Sequence, residues 1–267
     1  MSENTKALRV RIKSVTSTLQ LTKAMGLVAS SKIRRANEAM LKGREYLGAL
    51  ENTISLLTAD RECAKSPYMQ VREPKNTRII IIAGDRGLAG GYNANVFRLA
   101  ATLGDAEFIP IGKRACERYG KSIVSSEKFD FGNAAELADT LCADFEQQKF
   151  DRLGIIYTRY ISVMSQEAAI RWVLPFERSE RKDSGAVIFE PDQLTVLNNA
   201  ARECVAGTLM ACVRESFASE VSARRMAMDS AGKNAKEMID DLQLQYNRAR
   251  QGAITQEITE IVAGSGS

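Results

Sequence analysis

From Leu8 to Leu57 the chain repeats a seam position every three or four residues, with no proline to interrupt it. Steps of four and three from Leu8 reach Ile12, Val15, Leu19, Thr22, Gly26, Ala29, Ile33, Ala36, Met40, Gly43, Leu47, Leu50, Ile54 and Leu57. All but Thr22, Gly26 and Gly43 are apolar. A seven-residue repeat held this long specifies a coiled-coil seam rather than one face of a globular helix. At about 1.5 Å per residue, roughly 55 residues make a rod of about 80 Å. A small domain cannot bury that length, so part of the rod is expected to pack outside its own globule.

The middle of the seam is small where a coiled coil prefers Leu or Ile. Thr22, Gly26, Ala29 and Ala36 let two helices approach closely. Gly26 and Gly43 each cost about 1 kcal/mol relative to Ala inside a helix, which points to a limit on girth.

Pro67 and Pro74 end this pattern. Residues 79–83 are an apolar run that fits a fully buried strand. A Gly-rich turn over 84–91 follows, then a helix from about Asn93 to Leu103. Residues 108–111, 122–125, 153–158, 168–174 and 187–189 read as further strands. Helices are expected over 113–119 and 133–148, the second with Ala134, Leu137, Leu141 and Phe145 on one face. Alternating strands and helices predict a mostly parallel, Rossmann-like sheet. Asp192 is the expected N-cap of a last helix, which no proline interrupts after Pro191. Its seam reads Met228, Ala231, Ala235, Met238, Leu242, Tyr246, Ala249 and Ala253, followed by a line of Ile254, Ile258 and Ile261. Two long helices that bracket one α/β domain satisfy each other's seams only by lying antiparallel. The expected fold is therefore α/β, a long antiparallel two-helix coiled coil plus a central Rossmann-like domain. The boundaries are 1–60, 76–190 and 191–267.

Composition narrows the chemistry. The chain has 267 residues and no histidine. That removes His general bases, Ser-His-Asp and Cys-His nucleophiles, and His-ligated metals. Five scattered cysteines with no CxxC pair read as reduced thiols in a cytosol-like compartment. No apolar run approaches the length of a membrane span, and no separate apolar leader region is visible. Residues 1–50 hold ten Lys/Arg against three Glu, so they carry +7 and the remainder −3 of the net +4. A basic segment on a mildly acidic body calls for an acidic partner.

Specific stretches carry a family resemblance. Residues 8–15 and 21–35 (Leu21-Thr22-Lys23-Ala24-Met25-Gly26 through Arg34-Arg35) look like the opening helix of the gamma subunit of F-type ATP synthase. Asp85-Arg86-Gly87-Leu88-Ala89-Gly90-Gly91-Tyr92-Asn93 resembles its Gly-rich loop. Phe189-Glu190-Pro191-Asp192, residues 225–231 and 239–242, and the stretch from Tyr246 to Val262 resemble its final helix. The resemblance covers the whole chain. It implies a central rotating shaft inside a ring of three alpha and three beta subunits, with a foot on the epsilon subunit and the c-subunit ring. It implies no catalytic residue, no cofactor, no metal, no nucleic acid and no membrane insertion. The subunit would lie peripherally on the cytoplasmic face of a bacterial plasma membrane, since the cysteine-bearing insertion of the chloroplast form is absent.

The same resemblance implies beta-subunit contacts at Lys23, Met25, Arg86, Arg250, Gln251, Thr255 and Glu257. Lys23, Lys32, Arg34 and Arg35 would supply attraction to beta carboxylates. Gly26, Ala89, Gly232 and Gly252 depart from the family pattern, and the two shaft glycines, Gly26 and Gly252, could soften the rod.

Two other functions fit parts of the chain. One is a nucleotide-binding α/β protein using the turn at 84–91, although those glycines make neither G-x-G-x-x-G nor a P-loop. The other is a basic coiled-coil nucleic-acid-binding protein, which leaves the C-terminal seam and the α/β domain unexplained.

Overall fold

The computed structural model describes residues 3–120, 125–180 and 187–264. Its elements in chain order are α1 (Glu3–Ala59), β1 (Thr77–Ile82), α2 (Tyr92–Ala101), β2 (Glu107–Ile111), α3 (Lys113–Tyr119), α4 (Phe131–Glu146), β3 (Arg152–Tyr160), β4 (Gln166–Leu174) and α5 (Gln193–Gly264). Contacts divide the chain into two compact units, Met1–Ala29 with Arg225–Ser267, and Ser30–Arg224. The division cuts through both long helices.

The first unit is a helical pair. A Cβ on Gly26 would lie 3.7 Å from the Met228 Cβ, and one on Gly232 would lie 3.7 Å from the Thr22 Oγ1. Moving down α1 thus moves up α5, the antiparallel arrangement that the seams require. Thr5, Thr22 and Ala29 are buried against this partner face, as are Met228, Ala235 and Leu242 at seven-residue intervals. Met238 departs from the expected seam. It is exposed, and Ile239 turns inward instead. Steps of three or four through 228, 235 and 242 admit either 238 or 239 between them, and the pair takes the position four residues after each buried one, so Gly232, Ile239 and Tyr246 are half-buried. The line Ile254, Ile258 and Ile261 is exposed.

The second unit joins the rest of both helices to a four-stranded sheet in the order β2-β1-β3-β4. β1 pairs in parallel with β2 and β3, while β3 and β4 form an antiparallel hairpin. The expected parallel sheet therefore holds for three strands, with β4 turned back at the edge because only a short turn separates it from β3. β1 explains its own composition. Ile80 and Ile82 face a core with Leu57, Leu141, Phe145 and Leu209, whereas Ile79 and Ile81 face a second core with Val96, Ala100 and Ala115. A strand covered on both faces has no position for a polar residue.

Local sequence sets the helix starts. Asp130 caps α4 by accepting from the Asn133 N–H, and Asn133 returns a hydrogen bond to the Asp130 N–H. Asp192 caps α5 as expected, accepting the Thr195 N–H at 2.9 Å. That bond and the Thr195 hydroxyl lower the Asp192 pKa. Gly112 sits at φ 92°, and a Cβ there would stand 1.9 Å from the Ala83 carbonyl. No other residue fits that turn.

Two expected strands fare differently. Residues 187–189 form no strand. Val187 and Ile188 are exposed and only Phe189 packs on the core, since so short a run offers too few side chains to either face. The strand expected at 122–125 lies, but for Ser125, outside the described residues.

Candidate functional site

The residues singled out from the sequence fall in three places. Lys23 and Met25 lie on α1 in the helical pair, Lys23 exposed and Met25 half-buried beside the buried seam position Gly26. Arg250, Gln251 and Thr255 lie exposed on α5 in the same unit. Helical periodicity brings Gln251 and Thr255 together, and the Thr255 hydroxyl donates to the Gln251 carbonyl at 3.0 Å. The Glu257 side chain lies outside the described residues. The antiparallel register sets Lys23 level with about residue 231 of α5, so the Lys23 and Arg250 groups are separated by roughly 28 Å along the pair. They lie in two separate places rather than at one site. α5 residues beyond about 251 lie past the first described turn of α1, which accounts for their exposure.

Arg86 belongs to the other unit, on the Gly-rich loop after β1. The loop is held by side chains beneath it. Asp85 accepts the N–H groups of Lys113, Ser126 and Glu127 at 3.0–3.2 Å, and the Ser125 hydroxyl as well. Burial works against its charge, but these four donors outweigh it and lower the Asp85 pKa. Asn93 accepts the Gly84 N–H at 2.9 Å and donates to the Arg86 carbonyl at 3.4 Å. Arg224 of α5 donates to the carbonyls of Arg86 and Gly87 at 3.4 and 3.3 Å and pairs with Glu220 at 2.6 Å. The Arg86 backbone is pinned while its side chain is exposed. Such an arrangement holds a cation outward from the loop.

The same geometry opposes a phosphate. An open parallel sheet binds nucleotide phosphates at the C-terminal ends of its strands. Here that place is taken by the buried Glu220 carboxylate, within 2.7 Å of where a Gly84 Cβ would stand, and by Asp85. Glu220 with its partner Arg224, and Asp85 with its four donors, fill this end of β1 and leave the nucleotide-binding alternative no cradle of free N–H groups there.

Among the described residues no cluster of three or more His, Cys, Asp or Glu could hold a metal. Cys63, Cys142, Cys204 and Cys212 are buried and free. Burial pushes the Cys204 thiol up to about 11 and the Cys212 thiol to about 12, far from reactive thiolates. No described helix is long and apolar enough to cross a membrane.

The basic residues of α1 divide in a way that sequence alone does not reveal. Lys32 pairs with Glu127 and stands 6.0 Å from the Phe217 ring centre, so it is committed within its own unit. Arg34 lies 3.9 Å from Glu38 on its own helix. Lys23 and Arg35 pair with no carboxylate among the described residues. The Lys32–Glu127 contact spans 95 positions, and no local spacing signals it.

The chain is similar to known proteins in sequence and in fold. A sequence-family model described as ATP synthase matches residues 4–267. The chain is 37% identical over 298 residues to the sodium-ion-specific ATP synthase gamma chain of Acetobacterium woodii, covering 99% of each. It is 38% identical over 280 residues to the ATP synthase gamma chain of Ruminococcus albus, covering 98% of each. Among solved structures, it resembles a chain of the Euglena gracilis mitochondrial ATP synthase rotor. The TM-score is 0.70 at 19% identity, over 94% of this chain and 99% of that one. A chain of the Tetrahymena thermophila mitochondrial ATP synthase central stalk and c-ring gives a TM-score of 0.61 at 23% identity, over 79% and 99%. At such identities the structural likeness concerns the fold.

Proposed function

Because the chain belongs to the ATP synthase gamma-chain family, we propose that it is the central rotor shaft of a proton- or sodium-translocating F-type ATP synthase. In this reading it couples ion flow through the membrane sector to conformational change at the catalytic sites of the beta subunits. It carries no catalytic residue itself. Its partners are the alpha and beta subunits, the epsilon subunit and the c-subunit ring, and it lies peripherally on the cytoplasmic face of the plasma membrane. The three-part division at 1–60, 76–190 and 191–267 follows the same reading, with two helical segments serving as shaft and the middle part as base.

The observation that carries the proposal is the small seam of the helical pair. Gly26 faces Met228 and Gly232 faces Thr22 at ordinary contact distance, with Ala29 and Ala235 buried beside them. Small seam residues keep two helices close and the pair thin, which suits a shaft that turns inside a ring. The stations at Lys23 and Met25, at Arg86, and at Arg250, Gln251, Thr255 and Glu257 would meet different beta subunits. A partner shifts an equilibrium only through unequal affinity for its states, and an asymmetric pair within a threefold ring supplies that inequality. Affinity purification at endogenous level followed by mass spectrometry tests the assembly. Recovery of alpha and beta subunits in excess over this chain is expected, and recovery of this chain without them contradicts the proposal.

A further inference from the structure

Strand β3 outlasts its parallel neighbour. β1 pairs with it as far as Ile81 opposite Ile156, but β3 continues to Tyr160, where β4 still pairs through Gln166. Side chains of the two long helices replace the missing strand. The Thr158 N–H donates to the Ser216 Oγ at 3.0 Å, and the Thr158 carbonyl accepts from the Ser219 Oγ at 3.0 Å. Two residues on, the Tyr160 N–H donates to the Glu215 carboxylate at 2.9 Å, and the Tyr160 carbonyl accepts from the Arg44 guanidinium at 2.8 Å. Arg44 and Glu215 pair with each other at 2.8 Å. One guanidinium and one carboxylate thereby close a ring through α1, α5 and β3.

Packing alone does not ask for this ring. The Glu215 side chain is 11% exposed, and replacing such a charge pair by well-fitted apolar residues is often neutral or stabilising. What the ring adds is direction. Apolar contacts between helix and sheet are non-directional, whereas charge-assisted hydrogen bonds fix distance and angle. We propose that this ring is the joint through which torque passes between the two long helices and the sheet within the second unit, with Glu215 and Arg44 as positioning residues. The inference rests on the rotor reading above. A joint under load needs restraint against twist at the place where helices and sheet meet, and here one site restrains both helices at once.

The test uses the assembled, membrane-reconstituted complex. The catalytic head is fixed to a surface and stalled, and a probe on the c-ring reports thermal angular fluctuation. Arg44→Gln and Glu215→Gln are compared with wild type, and Ser216→Ala with Ser219→Ala serves as a second, independent pair. Ser216→Ala and Ser219→Ala leave the charge pair intact, so they keep the test decisive where loss of one partner of the pair impairs folding. The ionic ring and the serine bonds each add restraint to the apolar packing of helix on sheet, so loss of either set should raise the angular variance above that of wild type. ATP hydrolysis by the head detached from the membrane sector should stay at the wild-type rate, since that head carries no load through the joint. A merely structural role would lower hydrolysis and assembly together and leave the variance of assembled complexes unchanged. Unchanged variance in assembled variants overturns the joint. A wild-type complex in which this chain does not turn with the c-ring overturns the rotor reading instead.

Discussion

The same two helices pack by different rules in the two units. In the first, a Cβ added at Gly26 or Gly232 would meet its neighbours at 3.7 Å, an ordinary contact, and one at Gly252 would meet nothing within 4 Å. In the second, a Cβ at Gly207 would stand 2.3 Å from the Leu50 Cδ1, and one at Gly84 2.7 Å from Glu220. Directional contacts follow the same division. Arg44, Glu215, Ser216 and Ser219 tie α1 and α5 to β3 in the second unit. In the first unit Lys23, Arg250, Gln251 and Thr255 are exposed. One sequence period thus supports a smooth pair in one place and a locked pair in another, and the residues off the seam decide which.

The largest expected effect breaks the locked unit. Gly112→Ala forces a Cβ into the Ala83 carbonyl at positive φ and should lower unfolding stability by about 3 kcal/mol or more, read from chemical denaturation of the purified chain. Next come the stations. Lys23→Glu and Arg250→Glu leave stability within about 0.5 kcal/mol, as changes at exposed positions do. Each should nonetheless depress ATP-driven ion pumping well below the rate of the parent complex. Normal pumping with both reversals present would mean that these residues are wrongly placed.

A smaller effect concerns acid. The hydrogen bonds to Asp85 hold its folded pKa below the unfolded value. Its contribution is therefore complete above the unfolded value of about 3.9 and disappears as pH falls through the folded one. Asp85→Asn should flatten the loss of stability below about pH 4, seen as a shallower dependence of the denaturation midpoint on pH. The smallest effect sharpens the contrast between units. Gly252→Ala meets no neighbour and should stabilise its helix by up to about 1 kcal/mol, whereas the same change at Gly207 should destabilise. Equal outcomes at the two glycines would erase the distinction drawn between the units.

Much of the fold was legible because it is local. The seam from Leu8 to Leu57 is buried or half-buried at every position. Asp192 caps α5, and the run at 79–82 is the central strand. These features follow from periodicity and from side chains that reach their own backbone. Met238 was misplaced because a one-residue drift in the seam moves a side chain by a full helical step of about 100°. The reversal of β4 and the loss of a strand at 187–189 depend on neighbours that no local pattern names. The candidate residues fall on the expected elements, but how they are held was not legible. The partner of Lys32 lies 95 positions away and that of Arg44 lies 171 away, so their pairing appears only once the chain is folded.

The most direct test of the shaft reading watches this chain turn. The catalytic head is immobilised through its beta subunits, a probe is attached to the second unit, and ATP is supplied. The account predicts rotation in one direction with three equal pauses per turn, stopping when ATP is exhausted. A probe that stays fixed or wanders in both directions while ATP is hydrolysed at the normal rate would contradict it.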